Sequence, residues 1–324
     1  MNMKPILLFG MPRSGTTWLG KVFDSHPATL YRHEPDSGGA LDGALPMFPD
    51  AARVDDYRAG VGAFVDGLRR NRSLRVAGKL PLFRKSYEPP LAFHARRVLV
   101  PAAKALARRF PVSSVPEFVD PDRDESIRLV WKSIESLGRL GTIARILPEA
   151  RAIHIIRHPC GYVSSVLSGE AAGLMPGAVA ASEDYGILQL LLETEGAQRR
   201  NLTMDFFRGL QPVERLAWRW LLYNERAIVD LDGLENGRTA IYEDLCRDPV
   251  GGYRALFDFA DLSWDAQTVD FVDASTHSEK SAYFSVFKNP ERAASGWKQK
   301  LSPTDQERVL SVVAGSRPGT LFGA

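Results

Sequence analysis

Residues Gly10 to Trp18 read GMPRSGTTW, and their types and spacing suit the holding of an anion. Gly10 and Gly15 stand at the spacing of the G-x-x-x-x-G-K-[ST] loop that cradles nucleoside triphosphates, and Thr17 fills its hydroxyl position. The lysine position holds Thr16 instead, and a cation stands earlier, at Arg13. In the common loop that lysine reaches the β- and γ-phosphates and the next hydroxyl holds Mg²⁺. Without the lysine, γ-phosphoryl chemistry loses its main charge clamp. Two later apolar runs also end in cations: IRLVWKS at Lys132 and RAIHIIRHP at Arg157. No apolar run shows the clear terminal aspartate that an Mg²⁺ site wants. The pattern points to an anion bound without a metal.

The surrounding elements are those that would aim such residues at one spot. PILLFG is a short continuous apolar run ending in glycine, the pattern of a buried parallel strand. TTWLGKVFDSHP then places Trp18, Leu19, Val22 and Phe23 at helical spacing and stops before Pro27. Strand, glycine-rich turn and helix direct backbone N–H groups and the positive end of a helix dipole toward the loop. ATLYRHEPDSGG reads as a second strand running into a loop, GVGAFVDGLRR as a helix, and VAGKLPLF as strand-like until Pro81. IRLVWKS and RAIHIIRHP are further strands, each followed by a helix, the second of which starts near Pro159. PVERLAWRWLLYNERAIVDL is a long amphipathic helix. GRTAIYEDL is a strand with a polar exit, and Asp248 caps the next helix with Pro249 at its first position. Residues 275–300 read as loop, before a closing helix capped by Ser302. Alternating strands and helices predict an α/β fold, a P-loop-like three-layer αβα domain with a central, mainly parallel sheet flanked by helices. With no divisive linker, residues 1–324 are expected to form one domain, with acceptor-side segments at 36–75 and 170–212, the second of which reads as irregular.

Composition excludes several classes. The chain has 324 residues, 44% hydrophobic and 25% charged, which is ordinary for a globular protein. A net charge of +2 argues against a nucleic-acid partner. Cys160 and Cys246 form no C-x-x-C pair, which speaks against a zinc site and a disulfide framework. No apolar run approaches the roughly 18 residues of a membrane span, so a cytoplasmic protein is expected. PPLAFHARRVLVPAAKALARRFP, within residues 89–118, is a basic amphipathic stretch. It suits a membrane surface or an acidic acceptor, although a solvated basic helix over the core is the commoner case.

Taken together, these blocks resemble the sulfotransferases that use 3′-phosphoadenosine-5′-phosphosulfate (PAPS). GMPRSGTTWL is similar to that family's 5′-phosphosulfate loop. RAIHIIRHPCGYVSSVLS resembles its second signature, a strand followed by an arginine and, eight residues on, a serine: Arg157 and Ser165. AIYEDLCRDPVGGYRALFDFADL and SGWKQKLS are similar to its third block and its final tryptophan-containing segment. The resemblance implies PAPS as donor and its bisphosphate PAP as product. It implies that Arg13, Ser14, Gly15, Thr16 and Thr17 hold the phosphosulfate, that Arg157 and Ser165 hold the 3′-phosphate, and that Trp18 lies near the adenine. Tyr242 and Lys288 match nucleotide-contacting positions. A planar guanidinium at Arg157 can grip a phosphate with two hydrogen bonds. Within the family, small-molecule enzymes use a later histidine as base, whereas Golgi-type carbohydrate and tyrosine enzymes use a glutamate shortly after the first helix. HPATLYRHEPDS resembles the second pattern, which makes Glu34 the implied base, His33 the lesser candidate beside it, and Lys132 a second catalytic cation.

The acceptor implied is a hydroxyl on a carbohydrate or glycolipid, with a small alcohol, phenol or lipid as the alternative. A P-loop kinase with an altered loop, or a nucleotide-binding module without activity, would each account for the glycine spacing alone. Neither explains Arg13, Glu34 and Lys132 together. Oligomeric state is left open.

Overall fold

A computed structural model describes residues 4–107, 109–110, 113–116, 118, 124, 126–174, 179–277, 287 and 289–324. Strand β1 (Ile6–Phe9) leads through the glycine loop into α1 (Thr16–Ser25), and β2 (Thr29–His33) follows. Helices α2 (Val54–Arg70), α3 (Leu74–Ala77) and α4 (Pro90–Leu106) precede β3 (Arg128–Ser133). Then come α5 (Leu140–Ile146), β4 (Arg151–Ile156) and α6 (Pro159–Ala171). Short helices α7 (Tyr185–Leu191), α8 (Glu195–Arg199) and α9 (Met204–Gly209) lead to α10 (Pro212–Leu231). Strand β5 (Gly237–Ile241) runs into α11 (Tyr242–Arg247) and α12 (Pro249–Phe259). Helices α13 (Ala266–His277), α14 (Pro290–Ser295), α15 (Trp297–Lys300), α16 (Pro303–Val313) and α17 (Arg317–Thr320) follow.

The strands form one parallel sheet in the order β2-β3-β1-β4-β5. Their apolar runs are continuous because both faces are covered. Leu7, Phe9, Trp131, Ala152 and Ile156 turn to one face, against Val61 and Val65 of α2, Val163 of α6 and Trp220 of α10. Ile6, Leu8, Val130, Ile153 and Ile155 turn to the other, against Leu19 and Phe23 of α1 and Phe257 of α12. Two cores on opposite faces make the three layers expected from the alternating elements. Asp248 Oδ1 accepts from Gly251 N at 2.9 Å and Ser302 Oγ from Asp305 N at 3.1 Å, so both expected caps form.

Three stretches differ from their sequence reading. Val76 and Ala77 of VAGKLPLF end helix α3, and the following residues run as loop, because Gly78 and Pro81 interrupt any ladder. The 170–212 stretch includes α7, α8 and α9, each started by a side-chain cap, from Asp184, Thr194 and Thr203. The 275–300 stretch includes the end of α13 and the short helices α14 and α15. Trp220 is fully buried and Trp218 partly so, as their different helix faces predict.

Beneath β2 lies a charged cluster that fixes the segment leading to α4. Lys21 of α1 is fully buried and forms an ion pair with Asp24. Lys85 reaches Asp24 Oδ1 at 3.0 Å and donates to His26 O and Thr29 Oγ1, each at 3.2 Å. Burial lowers the Lys21 pKa to about 8, with Asp24 opposing the shift. Burial raises the pKa of the Asp24 carboxyl, yet Lys21 and Lys85 together hold it below its ordinary value. Replacing Asp24 by alanine strands two buried ammonium groups, and should cost about 3–5 kcal/mol in urea unfolding at neutral pH. Between pH about 8 and the ordinary lysine value of 10.5, the unfolded chain holds a proton that folded Lys21 has released. The Lys21 share of stability therefore rises with pH across that window. Lys21→Met should flatten the slope, which unfolding curves taken across the window would read.

Candidate functional site

The C-terminal ends of parallel strands share one edge of a sheet, the usual place for ligand sites in open α/β folds. Because β1 pairs with both β3 and β4, the loop after β1 starts between the ends that carry Lys132 and Arg157. Gly10 N donates to Ser133 O at 3.3 Å, fastening that loop to the end of β3.

The loop itself is tightly specified. A Cβ on Gly10 would lie 2.5 Å from Ile155 O. Gly15 has φ +90°, and a Cβ there would lie 2.3 Å from the Tyr242 ring. Gly15 also caps α1 without any side-chain hydrogen bond, and no acidic residue sits in the first turn. The N-terminal N–H groups of α1 therefore have no side-chain cap, and the helix dipole there favours an anion. Ser14 is fully buried, and among the described residues its Oγ has no hydrogen-bond partner. Thr16 is buried and Thr17 partly exposed. Such a cradle, with an orphaned hydroxyl inside it, is the shape that a phosphate or sulfate group fills.

Arg13, Ser165, Arg157 and Tyr242 come together around this loop. Arg13 Nε donates to Ser165 Oγ at 2.9 Å, although 152 residues separate them. Arg157 Nη1 donates to Arg13 O at 2.9 Å and Nη2 to Ala293 O at 2.6 Å. Its buried Nε has no partner among the described residues. The guanidinium lies over the Tyr242 ring, 5.0 Å from the centroid. Trp18 meets Tyr242 edge-on at 6.2 Å and Tyr253 at 5.0 Å, while its Nε1 donates to Ser275 Oγ at 2.9 Å. Trp18 is thus 9% exposed and packed on three sides. Lys288 lies outside the described residues.

Glu34 and Lys132 form an ion pair at the ends of β2 and β3. Glu34 N also donates to Lys132 O at 2.7 Å, so the backbone sets the register of the pair. Lys132 is buried, whereas the Glu34 side chain keeps 20% exposure and presents the open side. Burial lowers the Lys132 pKa, with Glu34 opposing. Arg13 and Glu34 carry positive φ values of 72° and 50°, a region that costs non-glycine residues about 1 kcal/mol or more. His33 is packed beside the pair, its Nδ1 2.9 Å from the Tyr31 hydroxyl and its Nε2 3.6 Å from Glu34 Oε1. Burial, and then the charge of Lys132, keep His33 neutral far below the ordinary histidine range.

Three groups here carry no motif. Asp36 accepts from Trp131 Nε1 at 3.0 Å, Ser133 Oγ at 2.5 Å and Ser136 Oγ at 2.6 Å, which braces the end of β3. Glu243 accepts from His158 N at 3.1 Å, just after Arg157. Lys79 is half-buried and close enough to Glu34 to feel its charge. Only an apolar-to-polar change at a strand exit would have drawn attention to Asp36. Lys79 had no signal at all. Among the described residues, no group of His, Cys, Asp and Glu side chains is arranged to hold a metal ion.

The sheet order and the anion cradle define a parallel α/β protein with P-loop-like topology and cationic strand ends. The sulfotransferase family model matches residues 5–190, more than half of the chain, and the protein belongs to the sulfotransferase family. It is 23% identical to human carbohydrate sulfotransferase 5, over 96% of this chain and 75% of that protein. Among solved structures it is similar to the sulfotransferase domain of the Synechococcus PCC 7002 olefin synthase, at 18% identity and a TM-score of 0.46 over 100% of this chain and 96% of that one. Sulfotransferase STF9 of Mycobacterium avium is similar at 16% identity and a TM-score of 0.43, over 97% of this chain and 76% of that one.

Gly15→Ala should destabilise the fold by about 1–3 kcal/mol, through the positive φ and the clash with Tyr242. The same variant should bind inorganic sulfate or phosphate more weakly, since the loop must shift. Thermal unfolding with and without added sulfate reads both effects, and an unchanged sulfate-induced rise in Tm would contradict the second.

Proposed function

We propose that the protein transfers the sulfuryl group of PAPS to a hydroxyl of a carbohydrate or glycolipid acceptor and releases PAP. The observation that carries this reading is the Glu34–Lys132 pair beside the anion cradle of residues 10–17. Family membership supports sulfuryl transfer, and likeness to a carbohydrate sulfotransferase supports a sugar hydroxyl as acceptor.

The residues present fit PAPS at both ends. The uncapped N-terminus of α1, Arg13 and the orphaned Ser14 Oγ suit the phosphosulfate, with Thr16 and Thr17 beside them. Arg157, with an unused Nε, and Ser165 suit the 3′-phosphate. Trp18 and Tyr242, both largely buried, back the loop and the Arg157 guanidinium from behind. When bound, PAPS supplies a sulfuryl group on a good phosphate leaving group. Sulfuryl transfer, like phosphoryl transfer, is catalysed chiefly by positioning and by stabilising charge.

Within that scheme Glu34 accepts the acceptor's hydroxyl proton. Lys132 orients the Glu34 carboxylate by holding Oε1, and its positive charge favours the charge that develops beside it. The brace from Asp36 keeps β3, and hence Lys132, in place. Arg13 is aimed by Ser165 and serves the sulfuryl oxygens. The acceptor enters past segments 36–75 and 170–212, which lie outside the sheet and differ most from any motif. Binding of the donor without a metal is part of this reading.

Calorimetric titration with PAP, alongside ATP plus Mg²⁺, tests the donor assignment. Metal-independent PAP binding, lost in Arg157→Ala and absent for ATP, is expected. Preference for ATP with Mg²⁺ would favour an altered kinase. Glu34→Gln should leave PAP binding intact and lower turnover by about 10²–10⁴-fold. Full activity in that variant would remove Glu34 from the role of base.

A further inference from the structure

Helix α4 (Pro90–Leu106) has an apolar side wider than the part that the protein covers. Ala92, Val100 and Ala103 face inward and are buried. A helix on a solvated surface then presents polar residues on the opposite side. Here the exposed Leu91, Val98, Leu99, Ala102 and Leu106 form a second apolar arc of about 100°, at 100° per residue, directly beside the buried face. Leu91 is 82% exposed, Val98 69% and Leu106 50%. Phe110, just beyond the helix, is 60% exposed. So concentrated an apolar patch on one element marks a binding surface rather than scattered exposure.

The charge around the arc is of one sign. Residues 89–118 contain Arg96, Arg97, Lys104, Arg108 and Arg109 but a single acidic residue, Glu117. The chain as a whole nearly balances, with 41 basic and 39 acidic residues. Arg96 is taken by Glu88 at 2.5 Å, whereas Arg97 and Arg109 are exposed, and Arg97 lies over the Phe93 ring at 5.7 Å. A second copy of the chain would bring the same cations against one another across this face. An anionic lipid surface instead offers apolar depth for the arc and negative headgroups for its rim. Among the described residues no helix is long and apolar enough to cross a membrane, so α4 would lie in the interface plane.

We propose that α4 docks on an anionic bilayer, with its apolar arc in the headgroup region and the exposed Arg97 and Arg109 reaching the lipid phosphates. The docking itself is independent of the donor and base assignments above.

The test is co-sedimentation of the full chain with phosphatidylcholine vesicles, with and without phosphatidylglycerol. Wild-type protein should pellet with the anionic vesicles and stay in solution with the neutral ones. Leu91→Asp combined with Val98→Asp should weaken the binding by about tenfold or more, and so should Arg97→Glu combined with Arg109→Glu. An unchanged circular-dichroism spectrum and unchanged unfolding temperature confirm that these variants fold. Failure to bind anionic vesicles, equal binding to both kinds, or unaltered binding by the variants would overturn the proposal. So would a concentration-dependent dimer that Val98→Asp dissociates, which would assign the face to a second copy.

Discussion

The parallel pairing of β1 with both β3 and β4 is the constraint on which the site rests. It puts the glycine loop between the strand that ends in Lys132 and the strand that leads to Arg157. Main-chain ladder hydrogen bonds set those positions, and the side chains that matter then need only short reaches. Arg157 reaches the loop's carbonyl at residue 13, and Lys132 reaches Glu34 one strand over. A slip of one residue in the register of β3 would turn Lys132 to the other face of the sheet and replace it by Trp131 or Ser133. The dry packing of Leu7, Phe9 and Trp131 on one face, and of Leu8 and Val130 on the other, makes such a slip costly.

Several cations gather at this sheet edge. Lys132 is paired with Glu34, Arg13 donates to the Ser165 hydroxyl, and Arg157 donates to two carbonyls and lies close enough to Glu243 for that carboxyl to feel its charge. The uncapped helix end adds further positive potential. Cations and an uncapped helix end at one strand edge suit an anionic ligand. The cluster of Lys21, Asp24 and Lys85 on the α1 side is different in kind. There a buried carboxylate serves two ammonium groups, and carbonyl oxygens take the remaining donors. It holds together α1, β2 and the segment that carries Lys79.

The sheet and its cradle were legible because they rest on local rules. Continuous apolar runs mark strands buried on both faces, and Asp248–Pro249 and Ser302–Pro303 mark helix starts through capping that any sequence obeys. The resemblance placed Arg13 and Ser165 in one nucleotide site but at different ends of it, and their direct hydrogen bond across 152 residues is something no local rule supplies. VAGKLPLF misled because its apolar content is that of a strand, while Gly78 and Pro81 control its backbone. Helices α7, α8 and α9 were missed because each is shorter than two turns and shows no periodicity, though their caps at Asp184, Thr194 and Thr203 were in plain view. Lys79 and the exposed arc of α4 depend on which side of an element the chain packs against, and composition does not carry that information.

The brace between Arg157 and its neighbours has an evolutionary consequence. Its two acceptors are the main-chain oxygens of residues 13 and 293, and every amino acid brings such an oxygen. Substitution at position 293 that keeps the backbone path leaves the brace intact, so no compensating change is selected elsewhere. The link between the β4 end and the α14 segment would therefore leave no covarying pair in a set of descendant sequences. The brace's sensitivity to mutation lies in the guanidinium and not in the side chain at position 293.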